Sequence, residues 1–212
     1  MIIIAETVNP KSLKLPIRIN NLNGEPTLLI PSEKNKACWA ILQNRMHLLD
    51  NVEHSSFERF TFLVDQEQGF FGRFDNRIRE LLKDGNKLYL RKKRGYKEMT
   101  LIYANGVFYP TKRKGLMVSG QGSGDDNEYK CCTLRKGIIL KDHQMIGLFK
   151  NGEVGMLGID SIYENNHIDR DTFNNSASNL ILGTSGENQE HKNANLERKV
   201  LVKRGGQIVF NV

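Results

Sequence analysis

Hydrophobic and polar residues change rhythm several times along this chain. Up to about residue 31, short apolar runs (Ile2-Ile3-Ile4, Leu28-Leu29-Ile30) alternate with turn pairs such as Asn9-Pro10 and Asn23-Gly24, which predicts short strands and loops. From Ser32, a good N-cap after Pro31, apolar residues at Cys38, Ile41, Leu42, Met46 and Leu49 keep helical spacing and predict a helix to Asp50, with Trp39 on its core side. A second helix is predicted from Ser56, with Phe57, Phe60, Leu63 and Val64 on one face. A third runs from about Phe70 to Asp84 and stops at Gly85. Its apolar face is Phe70, Phe71, Phe74, Ile78, Leu81 and Leu82, and its other face carries Arg73, Arg77, Arg79 and Lys83. A hairpin follows: Leu88-Tyr89-Leu90, a basic tip of Arg91, Lys92, Lys93 and Arg94, and a returning strand from Met99 to Tyr103.

Residues 119–128 are polar and glycine-rich, as a linker is, and divide an N-terminal part (1–118) from a C-terminal part (129–212). From Thr133 to Ile159 the runs Leu134, Ile138-Ile139-Leu140, Ile146-Gly147-Leu148-Phe149 and Met156-Leu157 predict a small antiparallel sheet with a turn at Asn151-Gly152. Beyond it, Ile162-Tyr163 begins a strand that ends near His167. A polar, asparagine-rich loop runs from Asp169 to Ser178, Leu180-Ile181-Leu182 is a short strand, and Ser185 is placed to cap a helix. The order is strand, loop, strand, helix. A histidine closes the first strand, Asn179 opens the second, and Asn188 lies in the first turn of the helix.

Charge narrows the partner. The formal net charge is +7 and the isoelectric point about 9.3, which favours a polyanion, above all nucleic acid. Cys38, Cys131 and Cys132 form no CxxC, so neither a disulfide framework nor a structural zinc is expected. No apolar run approaches a membrane span and no secretory leader stands out; a cytoplasmic protein with no membrane partner is expected. His47, His54 and His143 have no partner pattern and read as structural or surface residues.

Two resemblances give these patterns a direction. Three helices followed by a basic-tipped hairpin, over about residues 32–105, resemble a winged-helix DNA-binding domain in order of elements. That resemblance implies duplex contacts from Arg73, Arg77 and Lys83 and from Arg91, Lys92, Lys93 and Arg94. The second covers residues 162–195. Asn166-His167-Ile168-Asp169, Asn174-Asn175, Asn179-Leu180, Thr184 and Glu187-Asn188 stand in register with the HNH, or ββα-metal, endonucleases, which this stretch resembles. The fold expected is therefore α+β: a winged-helix-like N-terminal domain followed by a ββα-metal nuclease domain.

The HNH resemblance implies a role for each matched residue. His167 would be the general base for the water that attacks phosphorus; histidine is the side chain that exchanges protons near neutral pH. Asn179 would fasten the loop and orient His167. Asn166 and Asn188 would give oxygens to one divalent cation per site, magnesium or manganese. Asp169 and His191 are possible additional members, and Lys192 a DNA contact. Many family members have aspartate in place of Asn166 and histidine in place of Asn188. With both positions uncharged, weak metal affinity in the absence of DNA is expected. The function implied is a sequence-specific endonuclease on double-stranded DNA, restriction-like, acting as a homodimer to cut both strands. The alternatives are a phage or intron homing endonuclease, or a DNA-binding regulator with an inactive HNH module.

Overall fold

The structure, a computed structural model, describes residues 17–29, 32–47, 52–57, 60–75, 77–78, 89–91, 101–104, 107–110, 117–120, 122–123, 129–135, 138–160, 162–190 and 193. Two short strands, β1 (Ile17–Asn20) and β2 (Pro26–Leu29), pair antiparallel around the Asn23-Gly24 turn. The Asn21 Oδ1 accepts the backbone N–H groups of Asn23 and Glu25, both at 2.9 Å, and Gly24 takes the positive φ of +81° that the turn requires.

Helix α1 (Glu33–Gln43) begins where the sequence predicts, with the Ser32 Oγ accepting the Asn35 N–H at 3.0 Å. It buries Ala37, Cys38, Ala40, Ile41 and Leu42, and Trp39 packs partly buried against the core. The helix stops at Asn44, short of the predicted end at Asp50, because Arg45–His47 leaves it as strand β3 to pair with β4 (Val52–Phe57).

The second and third predicted helices are strands. β4, β5 (Phe60–Asp65), β6 (Phe70–Asp75) and β10 (Met117–Gly120) join β3 in an antiparallel sheet ordered β10-β6-β5-β4-β3. The physical reason is burial on both faces. Every residue of β5 is buried, as are Phe70, Phe71, Gly72 and Phe74 of β6, and the Phe62 and Phe71 rings stack at 5.6 Å. A strand covered on both sides shows no polar alternation, so its apolar residues fit a helical stripe equally well. Residues 77–78 form a short helical turn, and the rest of the third predicted helix lies outside the described residues. The winged-helix order of three helices and a hairpin is therefore not the arrangement seen. The predicted hairpin does form: β7 (Tyr89–Arg91) pairs antiparallel with β8 (Leu101–Ala104), and β9 (Val107–Pro110) extends it.

In the second half, β11 (Gly122–Ser123), β12 (Lys130–Arg135) and β13 (Ile138–Lys141) form a small antiparallel sheet. The run predicted as its continuation is instead helix α2 (Asp142–Asn151), followed by a 3-10 segment (Gly152–Gly158). Asp142, Met145, Ile146 and Phe149 bury one helical face, and Asn151-Gly152 ends the helix rather than making a hairpin turn, with Gly152 at φ +61°. β14 (Glu164–His167) and β15 (Leu180–Gly183) then pair antiparallel, His167 opposite Leu180 and Asn166 opposite Ile181, and residues 185–190 are helical, as predicted.

The chain is thus α+β. One cluster of buried residues runs from Ile17 in β1 through α1, β5, β6, β12, α2 and the 3-10 segment to Leu180 in β15. Residues on both sides of the expected 119–128 boundary share this core, and β10 and β11 occupy part of the expected linker. The reason is apolar area: α2 closes over β6 and α1 and removes both from water. No helix among the described residues is long and apolar enough to cross a membrane.

Candidate active site

The β14-loop-β15-helix unit is shaped by local polar bonds. Asp169 organises the loop. Its Oδ1 accepts the Asp171 N–H at 2.9 Å and the Asn179 Nδ2 at 2.7 Å, and its Oδ2 accepts the Asn174 Nδ2 at 2.6 Å. Those amides, Asn174 first and then Asn179, hold the Asp169 carboxyl below the usual carboxylate range. Asn179 ties the loop by several bonds: its Oδ1 accepts the Asp169 N–H, its Nδ2 also donates to Asn174 O, and its backbone carbonyl accepts the Ile168 N–H at 2.9 Å. It thereby fixes the chain directly after His167.

The ring of His167 has a different partner. Its Nε2 lies 2.8 Å from the Oδ1 of Asn175, a residue that is 1 % exposed. An amide oxygen only accepts, so this contact is a hydrogen bond in the tautomer with the proton on Nε2, the one that leaves Nδ1 the lone pair that a general base needs. The orienting role expected of Asn179 is thus divided: Asn179 holds the backbone and Asn175 holds the imidazole.

The helix at 185–190 is capped by Thr184 rather than by Ser185. The Thr184 Oγ1 accepts the Glu187 N–H at 3.2 Å, and the Glu187 Oε2 accepts the Thr184 N–H at 2.7 Å, a reciprocal capping box. Ser185 turns to β14 instead, its Oγ donating to the Glu164 Oε1 at 2.7 Å. Asn188, one turn on, donates its Nδ2 to the Glu164 Oε2, while its Oδ1 is buried with no hydrogen-bond partner among the described residues.

These residues face one cleft of about 550 Å³, lined by His167, Asn166 and Asn188 together with Glu164, His143 and Lys141 among others. The residues expected to supply the base and the metal oxygens therefore converge. The donor set suits a hard divalent cation: amide oxygens, one of them buried and unsatisfied, and a carboxylate alongside. Arg170 also lines the cleft, at a φ of +67° that is uncommon for a residue with a Cβ, and with Lys141 it gives the cleft cationic groups suited to a phosphate.

Asn165 and His143 also line this cleft. Both amide atoms of Asn165 are buried and have no partner among the described residues, with the side chain lodged where a Cβ on Gly147 or Gly158 would collide with it. The His143 ring lies 5.4 Å from that of His167 and 4.8 Å from that of Tyr129, centroid to centroid. Sequence reasoning passed over His143 because it sits on α2, on a different element and with no local spacing to His167. Glu164 did carry a signal: it is two residues before Asn166, on the same face of the strand.

Burial, with the neighbouring His167, Lys141 and Lys34, pushes the His143 pKa down from 6.5 to about 3. Between those values the unfolded chain takes up a proton that the folded chain refuses. Stability is therefore full above about pH 6.5 and falls as pH drops towards 3, by at most about 1.4 kcal/mol per pH unit. Urea unfolding of a His143→Gln variant is expected to show a flatter acid slope than the parent chain. Equal slopes would remove His143 as the cause.

The remaining expected contacts are placed as follows. Arg73 lies on β6 and is used inside the fold: its Nη1 donates to Leu134 O at 2.7 Å and its guanidinium stacks 4.2 Å from the Phe60 ring centre. Arg77 is exposed and pairs with Asp75 at 3.0 Å. Of Arg91 only the backbone, in β7, is described. Lys83, Lys92, Lys93, Arg94, His191 and Lys192 lie outside the described residues.

The N-terminal sheet reaches this site at the β5–β6 turn. The β5–β6 turn donates no side chain to the cleft, but the Gln66 carbonyl accepts the Ala177 N–H at 2.7 Å, and a Cβ on Gly69 would collide with the backbone of Asn175 and Ser176. From the other side, the Lys150 Nζ of α2 donates to the carbonyls of Ala177 and Leu180 at 2.8 and 2.7 Å. Set beside protein-family models, curated proteins and solved structures, the chain matches none of them.

Proposed function

We propose that this protein is a divalent-metal-dependent endonuclease that hydrolyses phosphodiester bonds of double-stranded DNA, with β14, its loop, β15 and the following helix as a ββα-metal unit. The observation that carries the reading is the pairing of two features across one cleft. An imidazole is held by its Nε2, and a buried amide oxygen on Asn188 has no hydrogen-bond partner among the described residues.

A DNA phosphate entering the cleft meets Lys141 and Arg170, which attract and orient it. His167 takes the proton of the attacking water at Nδ1, and the hydrogen bond from Nε2 to Asn175 stabilises the imidazolium that results. Asn188 and Asn166, with Glu164 beside them, would hold the cation. When bound, a cation of this kind neutralises charge on the scissile phosphate and its leaving oxygen. The basic surplus of the chain supports a polyanionic substrate. We take the role to be restriction-like, in the cytoplasm, with a second copy needed to cut the second strand.

Supercoiled plasmid is the direct test. The chain should convert it to nicked or linear forms in magnesium or manganese and not in excess chelator. Sequencing the ends then gives the length of the site: a few base pairs for a restriction enzyme, a long asymmetric site for a homing enzyme. Duplex binding with no cleavage in any divalent metal would reject the nuclease and leave a DNA-binding regulator.

A further inference from the structure

We propose that Glu164 sets the aim of the cation site and supplies its negative charge: its carboxylate holds the Asn188 amide by Nδ2, leaves Oδ1 turned away from the acid, and gives a divalent cation a local anionic partner without DNA. The inference rests on the reading of Asn188 as a cation ligand.

Aim comes first. The two ends of a carboxamide have nearly the same shape, so packing alone does not choose which faces the cleft. A carboxylate does choose, because it only accepts hydrogen bonds. With the Glu164 Oε2 against Asn188, the NH2 must face the acid and the oxygen must face away. Among the described residues that oxygen is buried without a donor, a position that costs free energy until a donor or a cation meets it. Glu164 is itself held: the Ser185 Oγ donates to its other oxygen at 2.7 Å. Ser185 is available for this because Thr184 and Glu187 cap the helix by themselves. The strand acid and the helix amide therefore form a pre-set pair rather than a chance contact.

Charge comes second. Asn166 and Asn188 are neutral, and on that ground the sequence predicts weak cation binding in the absence of DNA. Among the described residues that line the cleft, Glu164 is the sole carboxylate beside the two cations Lys141 and Arg170, so the attraction for a metal ion is local to Glu164 rather than a property of the whole cleft. The Coulomb attraction that an aspartate ligand supplies directly is supplied here from one residue further out, through a polarised amide.

Manganese alone is the probe, titrated into the full chain with the free ion followed by electron paramagnetic resonance. The parent chain should bind it without DNA. Glu164→Gln should weaken binding by about 10–100-fold, the usual cost of losing a group that orients a metal ligand. The exchanged pair, Glu164→Gln with Asn188→Asp, keeps an amide-carboxylate bond and returns the charge, so it should recover most of the affinity. Ser185→Ala, which removes the hydroxyl donor to Glu164 and no charge, should weaken binding in the same direction by less; it carries the test if the Glu164→Gln chain does not fold. Failure of the parent chain to bind manganese, unchanged affinity in Glu164→Gln, or an exchanged pair as weak as the single variant would each overturn the proposal. Plasmid nicking judges the nuclease reading separately. A chain that nicks but keeps its manganese affinity in Glu164→Gln loses only this inference. A chain that binds manganese through Glu164 yet never nicks loses only the nuclease.

Discussion

His167→Ala is expected to lower plasmid nicking by about 10²–10⁴-fold, the range for removing a positioned general base, while duplex binding stays near that of the parent chain. The imidazole is the group with a proton-accepting nitrogen directed by a hydrogen bond, and its neighbour His143 is kept neutral by burial and sits on another element. Asn175→Ala is expected to act through the same ring. Without the Oδ1 at 2.8 Å, Nε2 loses its acceptor and the tautomer with the lone pair on Nδ1 is no longer preferred. Its effect should be smaller and should vanish in the His167→Ala background, since two residues acting as one unit are not additive. Single-turnover nicking of the two single variants and the double variant measures this. Additive losses would show that Asn175 works independently of His167.

Gly69→Ala is expected to give the largest loss of stability and to damage the site from a distance. Gly69 has a φ of +64°, which costs a residue with a Cβ about 1–2 kcal/mol. An added Cβ would also stand 2.9 Å from Asn175 O and closer still to Asn175 C and Ser176 N, all backbone atoms that cannot rotate away. Overpacking of this kind costs about 1–3 kcal/mol more. For a chain of this length the sum lowers Tm by roughly 5–15 °C. Because the displaced backbone belongs to Asn175, nicking should fall as well, even below the melting range. Gly24→Ala is the control. Gly24 has a φ of +81° but open space where a Cβ would go, so it should lose only the conformational part and leave nicking unchanged. Thermal melts of both variants decide this; equal losses would mean that the contact with Asn175 is not restrictive.

How far the chain could be read in advance follows from where the bonds lie. The ββα unit was legible because its determinants are close in sequence. Asp169 meets Asn174 and Asn179, Thr184 meets Glu187, and β14 pairs with β15 across a short loop. Ser32 and Asn23-Gly24 were legible for the same reason. The strands β5 and β6 were not, because a segment buried on both faces carries no alternation to separate it from a helical stripe. α2 was mistaken for strands because its apolar run, Ile146-Gly147-Leu148-Phe149, is short and continuous, and its polar start at Asp142 and His143 is itself buried.

By itself, then, the sequence determined the local frame of the candidate site: the ends of β14 and β15, the loop that Asp169 ties, the capped helix and the residues it carries. Tertiary structure alone decided what surrounds that frame. It brought His143 against His167 and Lys141 into the same cleft, set Gly69 behind Asn175, turned Arg73 inward and placed residues from both sides of the expected boundary in one core. Hydrogen bonds over a few residues are fixed by chain geometry. Contacts between elements a hundred residues apart are chosen by how apolar surface is best removed from water, a property of the whole chain.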